Sequence, residues 1–133
     1  MEAWEKWWRM AQGSLTAAQF LETQKLPRSS ASRAYYAAYQ AATALLLYGG
    51  QMPPEGREAW SHEATPDLLG NLSGALLSPS VQKDLGKRLA DLYQIRLGAD
   101  YRGDENIEDS VLRAAVRSAS FIVRTIRNIV PGA

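Results

Sequence analysis

One arginine of this sequence lies on an apolar helix face, which makes it the first candidate for a functional residue. Leu85, Leu89 and Leu92 precede Arg96 at helical spacing, so the four side chains fall within about 60° of one another. A guanidinium in that stripe keeps its proton and its charge at neutral pH, so it must pair with an anion or line a polar cavity. Asp100 follows four residues later, within reach as a partner. Two interpretations stay open: a structural ion pair that orders the core, and a functional arginine held at a groove.

Four arginines near the end of the chain form a second candidate, the arginine ridge. Its members, Arg113, Arg117, Arg124 and Arg127, fall within a sector of roughly 80° on a helix. No acid occurs from residue 110 to residue 133, whereas the whole chain balances 15 Lys and Arg against 14 Asp and Glu. Such a local excess suits phosphates or an acidic partner surface. The alternative is a solvated helix face.

The sequence contains one histidine and no cysteine. This composition excludes disulfides, thiolate zinc sites, thiol nucleophiles and sites built from several histidines of one chain. His62 is therefore either a hydrogen-bonded structural residue or a general base that meets Arg96 in the fold. Four acids surround the start of the last helix: Asp104, Glu105, Glu108 and Asp109. Their position suits the helix dipole better than a Mg²⁺ site, so we predict no metal and no cofactor.

Helical periodicity without alternating strand patterns predicts an all-α fold. The expected helices cover about residues 2–24, 29–48, 65–77, 80–101 and 106–130, with Pro27 ending the first. The second is alanine-rich and apolar all round, as a central helix should be. Trp4, Trp7 and Trp8 on one face of the first favour a core and interface role over an exposed ligand site. A length of 133 residues predicts one domain over 1–133.

The longest uncharged stretch, residues 34–54, does not suit a membrane span. It contains four tyrosines and ends in Gly-Gly-Gln-Met-Pro-Pro. No apolar segment of signal-peptide type opens the chain. We therefore expect a cytoplasmic protein with no membrane contact.

Several segments together resemble the small prokaryotic HEPN domains. They are Arg33-Ala-Tyr-Tyr-Ala-Ala-Tyr-Gln-Ala-Ala, Ala44-Leu-Leu-Leu-Tyr-Gly, Trp60-Ser-His62 and Leu92-Tyr-Gln-Ile-Arg96-Leu-Gly-Ala-Asp100-Tyr101, within about residues 11–129. The resemblance implies an up-and-down bundle of four long helices plus one short helix, usually paired as a homodimer. It also implies a link to RNA, either as a metal-independent endoribonuclease or as the partner of a minimal nucleotidyltransferase in toxin–antitoxin pairs.

The sequence departs from the ribonuclease members of that family at one position. Those members carry an arginine and then, after about four to six residues, a histidine. Counted from Arg96, the histidine falls where Tyr101, Arg102 and Gly103 stand. A tyrosine with its usual pKa near 10 is a poor base.

The resemblance and this departure lead to three functional hypotheses. The first is an RNA-associated HEPN domain with a degenerate ribonuclease site, acting with a minimal nucleotidyltransferase in a toxin–antitoxin or defence setting. The second is an active endoribonuclease in which Arg96 stabilises the pentavalent phosphate and His62 is the base. The third is a protein-interaction domain without RNA contact. In the first, Arg96 lines a groove at the dimer seam and the ridge binds RNA or the partner. The groove or supporting residues are Asp100, Tyr101, Arg33 and Tyr36, with His62 nearby.

Overall fold

The computed structural model describes residues 1–72, 76–101 and 106–132, with only the backbone of Tyr101 included. Its helices are α1 (Ala3–Thr23), α2 (Pro27–Tyr48), α3 (Thr65–Gly70), α4 (Pro79–Tyr101) and α5 (Asp109–Arg127). The described ranges contain no strand. The predicted all-α fold, an up-and-down bundle of four long helices plus a short one, is confirmed.

Three helices differ from their predicted bounds. Pro27 does not end α1 but is the first residue of α2, where its missing N–H costs nothing. The third helix ends at Gly70 rather than near residue 77 because Gly70 and Asn71 are weak helix formers. The Asn71 amide then donates to the Asp67 carbonyl at 2.8 Å and closes the helix end. The last helix begins at Asp109 and ends at Arg127, a few residues inside its predicted limits.

The core is built around α2, which packs against every other helix. Its alanines allow close approach, and most of its residues from Ser30 to Leu46 are buried. Two of the polar side chains buried there are satisfied across the α1–α2 interface. Ser14 Oγ lies 2.7 Å from the Gln40 amide, and Ser30 Oγ donates to the Ala18 carbonyl at 2.8 Å. These bonds fix α1 against α2 without leaving the groups unpaired.

The three tryptophans of α1 pack toward α2. Trp8 is buried, while Trp4 and Trp7 are half-buried. Trp4 meets the Tyr48 ring edge-on at 5.3 Å, and Trp7 meets Tyr39 at 6.3 Å between ring centroids. The tryptophans therefore have a core role, and their predicted part in an interface stays a prediction.

A close glycine contact holds α3 against α4. A Cβ atom on Gly86 would lie 2.6 Å from the Pro66 carbonyl oxygen and 3.3 Å from the Gly70 Cα. Only a glycine permits this approach. Because His62 lies three residues before α3, this contact also fixes the end of the loop that carries the histidine.

No helix in the described ranges combines the length and the apolar character that crossing a membrane requires.

Candidate functional site

Arg96 is clamped between its own helix and α2. Its Nε donates to Asp100 Oδ2 at 2.8 Å, and one Nη donates to the Tyr36 hydroxyl at 2.9 Å. The guanidinium carbon lies 5.2 Å from the centre of the Tyr36 ring. Only 11% of the Arg96 side chain is exposed, against 29% for Asp100. The leucine stripe before it is fully buried, which explains why the guanidinium emerges at the edge of the core.

A groove adjoins this ion pair between α2 and the end of α4. We call it the α2–α4 groove; its volume is about 660 Å³. One face of α2 contributes Arg28, Ser29, Ser32, Arg33 and Tyr36, opposite Ala99 and Asp100. Arg96 neutralises Asp100, and the two arginines of α2 add positive charge to the groove. The arrangement can hold an anion of phosphate type.

Arg33, Tyr36 and Asp100 were predicted for this site from the sequence, whereas Arg28, Ser29 and Ser32 were not. Ser32 Oγ donates to Asp100 Oδ2 at 3.4 Å and so connects the two walls. These residues share a face with Arg33 and Tyr36 at i, i+4 and i, i+8 spacing. Ser29 and Ser32 lie inside the predicted helix, so this spacing could have revealed them, whereas Arg28 required a helix that begins at Pro27.

His62 sits in a cage of four tyrosine rings. Its Nδ1 lies 2.6 Å from the Tyr35 hydroxyl, and its ring stacks on Tyr93 at 5.7 Å between centroids. The Tyr39 ring lies closer, at 4.5 Å. Two further bonds dock the same loop: the Tyr39 hydroxyl donates to the Trp60 carbonyl, and the Tyr93 hydroxyl donates to Glu63 at 2.9 Å. The histidine is therefore held at a fixed place against α2 and α4.

His62 and Arg96 lie against the same two tyrosines. The Tyr36 ring centre is 6.0 Å from that of His62, and the Tyr35 ring centre is 5.9 Å from the Arg96 guanidinium carbon. Burial, and then the Arg96 charge, lower the pKa of His62, while the Glu63 carboxylate acts the other way. His62 is therefore neutral at pH 7. Burial raises the pKa of Tyr35, which keeps its phenol protonated.

The proton position on His62 depends on its bond to Tyr35. If Tyr35 donates to Nδ1, then Nε2 carries the imidazole proton; if Nδ1 donates to the phenol oxygen, Nε2 holds a free lone pair. Only the second arrangement makes Nε2 a base.

The arginine ridge lies on the outer face of α5. All four members are exposed, while the opposite face of the helix is buried in the core. From Arg113 to Arg127 the ridge extends about 21 Å along the axis. In the described part of the chain, no ridge member takes part in an ion pair. Arg88 differs, because it pairs with Asp84 at 3.0 Å and lies 4.2 Å above the Phe121 ring.

The sequence-family model of the HEPN domain matches residues 4–129 of the chain. The chain belongs to the HEPN family. The crystal structure of TT1696 from Thermus thermophilus superposes on 98% of this chain and 100% of that one, with a TM-score of 0.77. At 21% sequence identity, that likeness shows a shared fold. No curated protein matches the sequence significantly.

This HEPN domain brings together most of the residues predicted for its site. Arg96, Asp100, Tyr36 and Arg33 meet at one groove, and His62 approaches from the loop before α3. The ridge is a separate surface on α5. The Tyr101 side chain, Asp104 and Glu105 lie outside the described residues. Within the described ranges, no group of three or more acids or histidines is arranged to hold a metal ion.

Proposed function

We propose that this HEPN domain binds RNA through the α2–α4 groove and the arginine ridge, and that its ribonuclease site is degenerate. The observation that carries the proposal is that Arg96 is already engaged by an ion pair and a hydrogen bond. Its charge is neutralised by Asp100 at 2.8 Å, and a second donor is used by Tyr36. A guanidinium held in this way gives less stabilisation to a phosphorane than an unpaired one. The family histidine expected after it is replaced by Tyr101, Arg102 or Gly103.

Binding without cleavage needs only phosphate contacts. Arg28 and Arg33 provide two guanidinium groups at the groove, and the ridge provides four exposed ones. Guanidinium groups hold phosphate oxygens in bidentate geometry, and each neutralised phosphate releases counterions. The affinity for RNA therefore falls steeply as salt rises. A protein-interaction domain without RNA contact has no such dependence.

The experiment combines binding and cleavage on one RNA. Total tRNA is incubated in EDTA with the wild type and with Arg96→Ala, and binding is measured over a salt series for the wild type and for Arg117→Glu with Arg124→Glu. We expect salt-dependent binding by the wild type, a strong loss in the double variant, and no cleavage by any protein. Unchanged binding by the double variant would remove the ridge from the proposal.

A homodimer and a partner protein complete the proposal. The dimer would place two Arg96 sites at one seam and double the basic surface offered to a folded RNA. The partner would be a minimal nucleotidyltransferase in a toxin–antitoxin or defence setting, with the ridge as the surface for it or for RNA. Sedimentation of the purified protein tests the dimer. Co-expression with a minimal nucleotidyltransferase of the same organism, followed by capture through the transferase, tests the partner.

A second candidate function is metal-independent RNA cleavage with His62 as base. The observation that favours it is the shared contact of His62 and Arg96 with Tyr35 and Tyr36. In this reaction Nε2 removes the 2′-hydroxyl proton and the 2′-oxygen attacks phosphorus. Arg96 stabilises the phosphorane charge, the bond to the 5′-oxygen breaks, and the imidazolium returns the proton to that oxygen. The products are a 2′,3′-cyclic phosphate and a 5′-hydroxyl. Cleavage in EDTA that disappears in both Arg96→Ala and His62→Ala would establish this function instead.

A further inference from the structure

The turn between α1 and α2 contains a lysine in an unfavourable backbone conformation. Lys25 has a φ of 57°, and it is the one non-glycine with positive φ in the described part of the chain. Leu26 N donates to the Leu21 carbonyl at 3.0 Å, and Lys25 N donates to the Glu22 carbonyl at 3.1 Å. This is the Schellman pattern, whose left-handed position normally holds glycine. The Lys25 side chain is exposed, so packing does not explain the choice of lysine.

This turn lies between the two basic surfaces. On one side, Lys25 and Pro27 line a small groove together with Arg113, the first member of the ridge. On the other side, Leu21 and Arg28 line the α2–α4 groove. The two grooves therefore flank the same few residues. A strand leaving the ridge at Arg113 reaches the α2–α4 groove by passing over Lys25.

The charges of the smaller groove make Lys25 the decisive residue in that passage. Glu22 and Asp109 also line it, so with Lys25 and Arg113 its net charge is zero. Without Lys25 the net charge of the smaller groove becomes −1, between a ridge of four arginines and a groove that contains two more. A negative segment in this place would repel a phosphate backbone and separate the two surfaces.

We propose that Lys25 contacts the RNA backbone and joins the arginine ridge and the α2–α4 groove into one continuous binding track. The ligand is a single RNA strand that runs from the ridge across the α1–α2 turn toward Arg96. This inference rests on the proposed RNA binding and adds the path of the strand. It also explains the backbone of Lys25, because strain of this kind persists where a side chain is needed for function.

The test separates the effect of the backbone conformation at residue 25 from the effect of its side-chain charge. Lys25→Gly and Lys25→Asn both suit positive φ and both remove the charge. Lys83→Gln is the matched control, since Lys83 is an exposed lysine near the start of α4 that lines neither of the two grooves. For each protein we would measure the melting temperature and the affinity for a fluorescein-labelled single-stranded RNA of about 20 nucleotides over a salt series.

We expect Lys25→Gly to be more stable and a weaker binder. Its melting temperature should rise by about 3 °C, because the left-handed strain is removed. Its RNA affinity at low salt should fall about fivefold, and the slope of log K against log salt should fall by about 0.7. Lys25→Asn should lose affinity to the same extent, and Lys83→Gln should bind like the wild type. Glu22→Gln should bind more tightly, because it removes a negative charge from the track.

The length of the RNA gives an independent readout. The ridge extends about 21 Å, and the face of α2 from Arg28 to Tyr36 adds about 12 Å. An RNA of about 4 nucleotides can occupy either surface alone, so its binding should be less sensitive to Lys25 than that of the long strand.

The possible results distinguish a failure of the proposed track from a failure of the proposed RNA binding on which it rests. If the ridge variant weakens RNA binding but both Lys25 variants bind like the wild type, the track is wrong and the proposed function stands. If the wild type shows no salt-dependent RNA binding, the proposed function fails and the track fails with it. An equal loss in Lys83→Gln would also overturn the track, because net charge alone would then explain the effect.

Discussion

The guanidinium of Arg96 donates to the Tyr36 hydroxyl at 2.9 Å and ties α4 to α2 at the edge of the α2–α4 groove. Ser32 strengthens the same junction through Asp100. Because these bonds join two helices, Arg96 acts on the shape of the groove as well as on its charge. Substitutions at this junction should therefore change the stability of the fold as well as the groove.

Tyr36→Phe removes the hydroxyl and keeps the ring. We expect the free energy of unfolding to fall by about 1.5 kcal/mol, the lower end of the net value of a hydrogen bond to a charged group. Tyr48→Phe is the control, because the Tyr48 ring is more exposed and contacts Trp4 only through its edge. Urea denaturation measures both. Equal losses in the two variants would show that the bond from Arg96 to Tyr36 does not stabilise the fold.

Arg96→Ala should destabilise the protein only moderately, by about 1 to 2 kcal/mol. The Asp100 side chain left behind is 29% exposed and can be hydrated, so the variant does not leave a fully buried charge. Arg96→Ala combined with Asp100→Asn should cost less than the sum of the two single changes, since the two residues interact directly. A loss well above 3 kcal/mol for Arg96→Ala alone would indicate a purely structural ion pair.

Gly86→Ala should separate α3 from α4. The added methyl would lie 2.6 Å from the Pro66 carbonyl oxygen, which is backbone and cannot rotate away. We expect a loss of about 2 to 3 kcal/mol, typical of overpacking. Gly13→Ala is the matched change inside α1, where nothing lies within 4 Å of the new methyl, and it should stabilise the helix by up to about 1 kcal/mol. Thermal denaturation of both variants measures these changes in stability. A Gly86→Ala variant as stable as the wild type would contradict the close contact.

The helical periodicity was sufficient to predict the all-α fold, the central place of α2 and Asp100 within reach of Arg96, because these depend on patterns along single helices. The up-and-down bundle was implied by the resemblance to HEPN domains. The contacts of His62 were beyond such reasoning. Four tyrosines from α2 and α4 surround it, and the loop that delivers it has no periodic pattern. Residue Arg28 was missed for a local reason. The sequence pattern predicts a second helix from about Ser29, but proline also begins helices, so Pro27 and Arg28 fall outside the predicted helix.

Tyr35→Phe tests which nitrogen of His62 carries the proton. Without the phenol, Nδ1 loses its partner at 2.6 Å, and the pKa of His62 is then set by burial, Arg96 and Glu63 alone. If Tyr35 donates to Nδ1, the neutral form of His62 loses a stabilising bond, and the pKa of His62 should rise in the variant. NMR titration of the imidazole measures it, with Tyr48→Phe as the control. A lower pKa in Tyr35→Phe would show that Nδ1 donates instead, which leaves Nε2 free as a base.

Stability should fall in mild acid because of His62. Burial and Arg96 lower its pKa in the folded state below the ordinary value of 6.5, so the unfolded chain binds the proton more readily. The contribution of neutral His62 is therefore complete above pH 6.5 and is lost as the pH falls through the folded pKa. We expect the free energy of unfolding to fall from pH 7 to pH 5 more steeply in the wild type than in His62→Gln, which has no proton to gain. Urea denaturation at several pH values tests this, and identical slopes for the two proteins would mean that His62 has the same pKa in the folded and unfolded states.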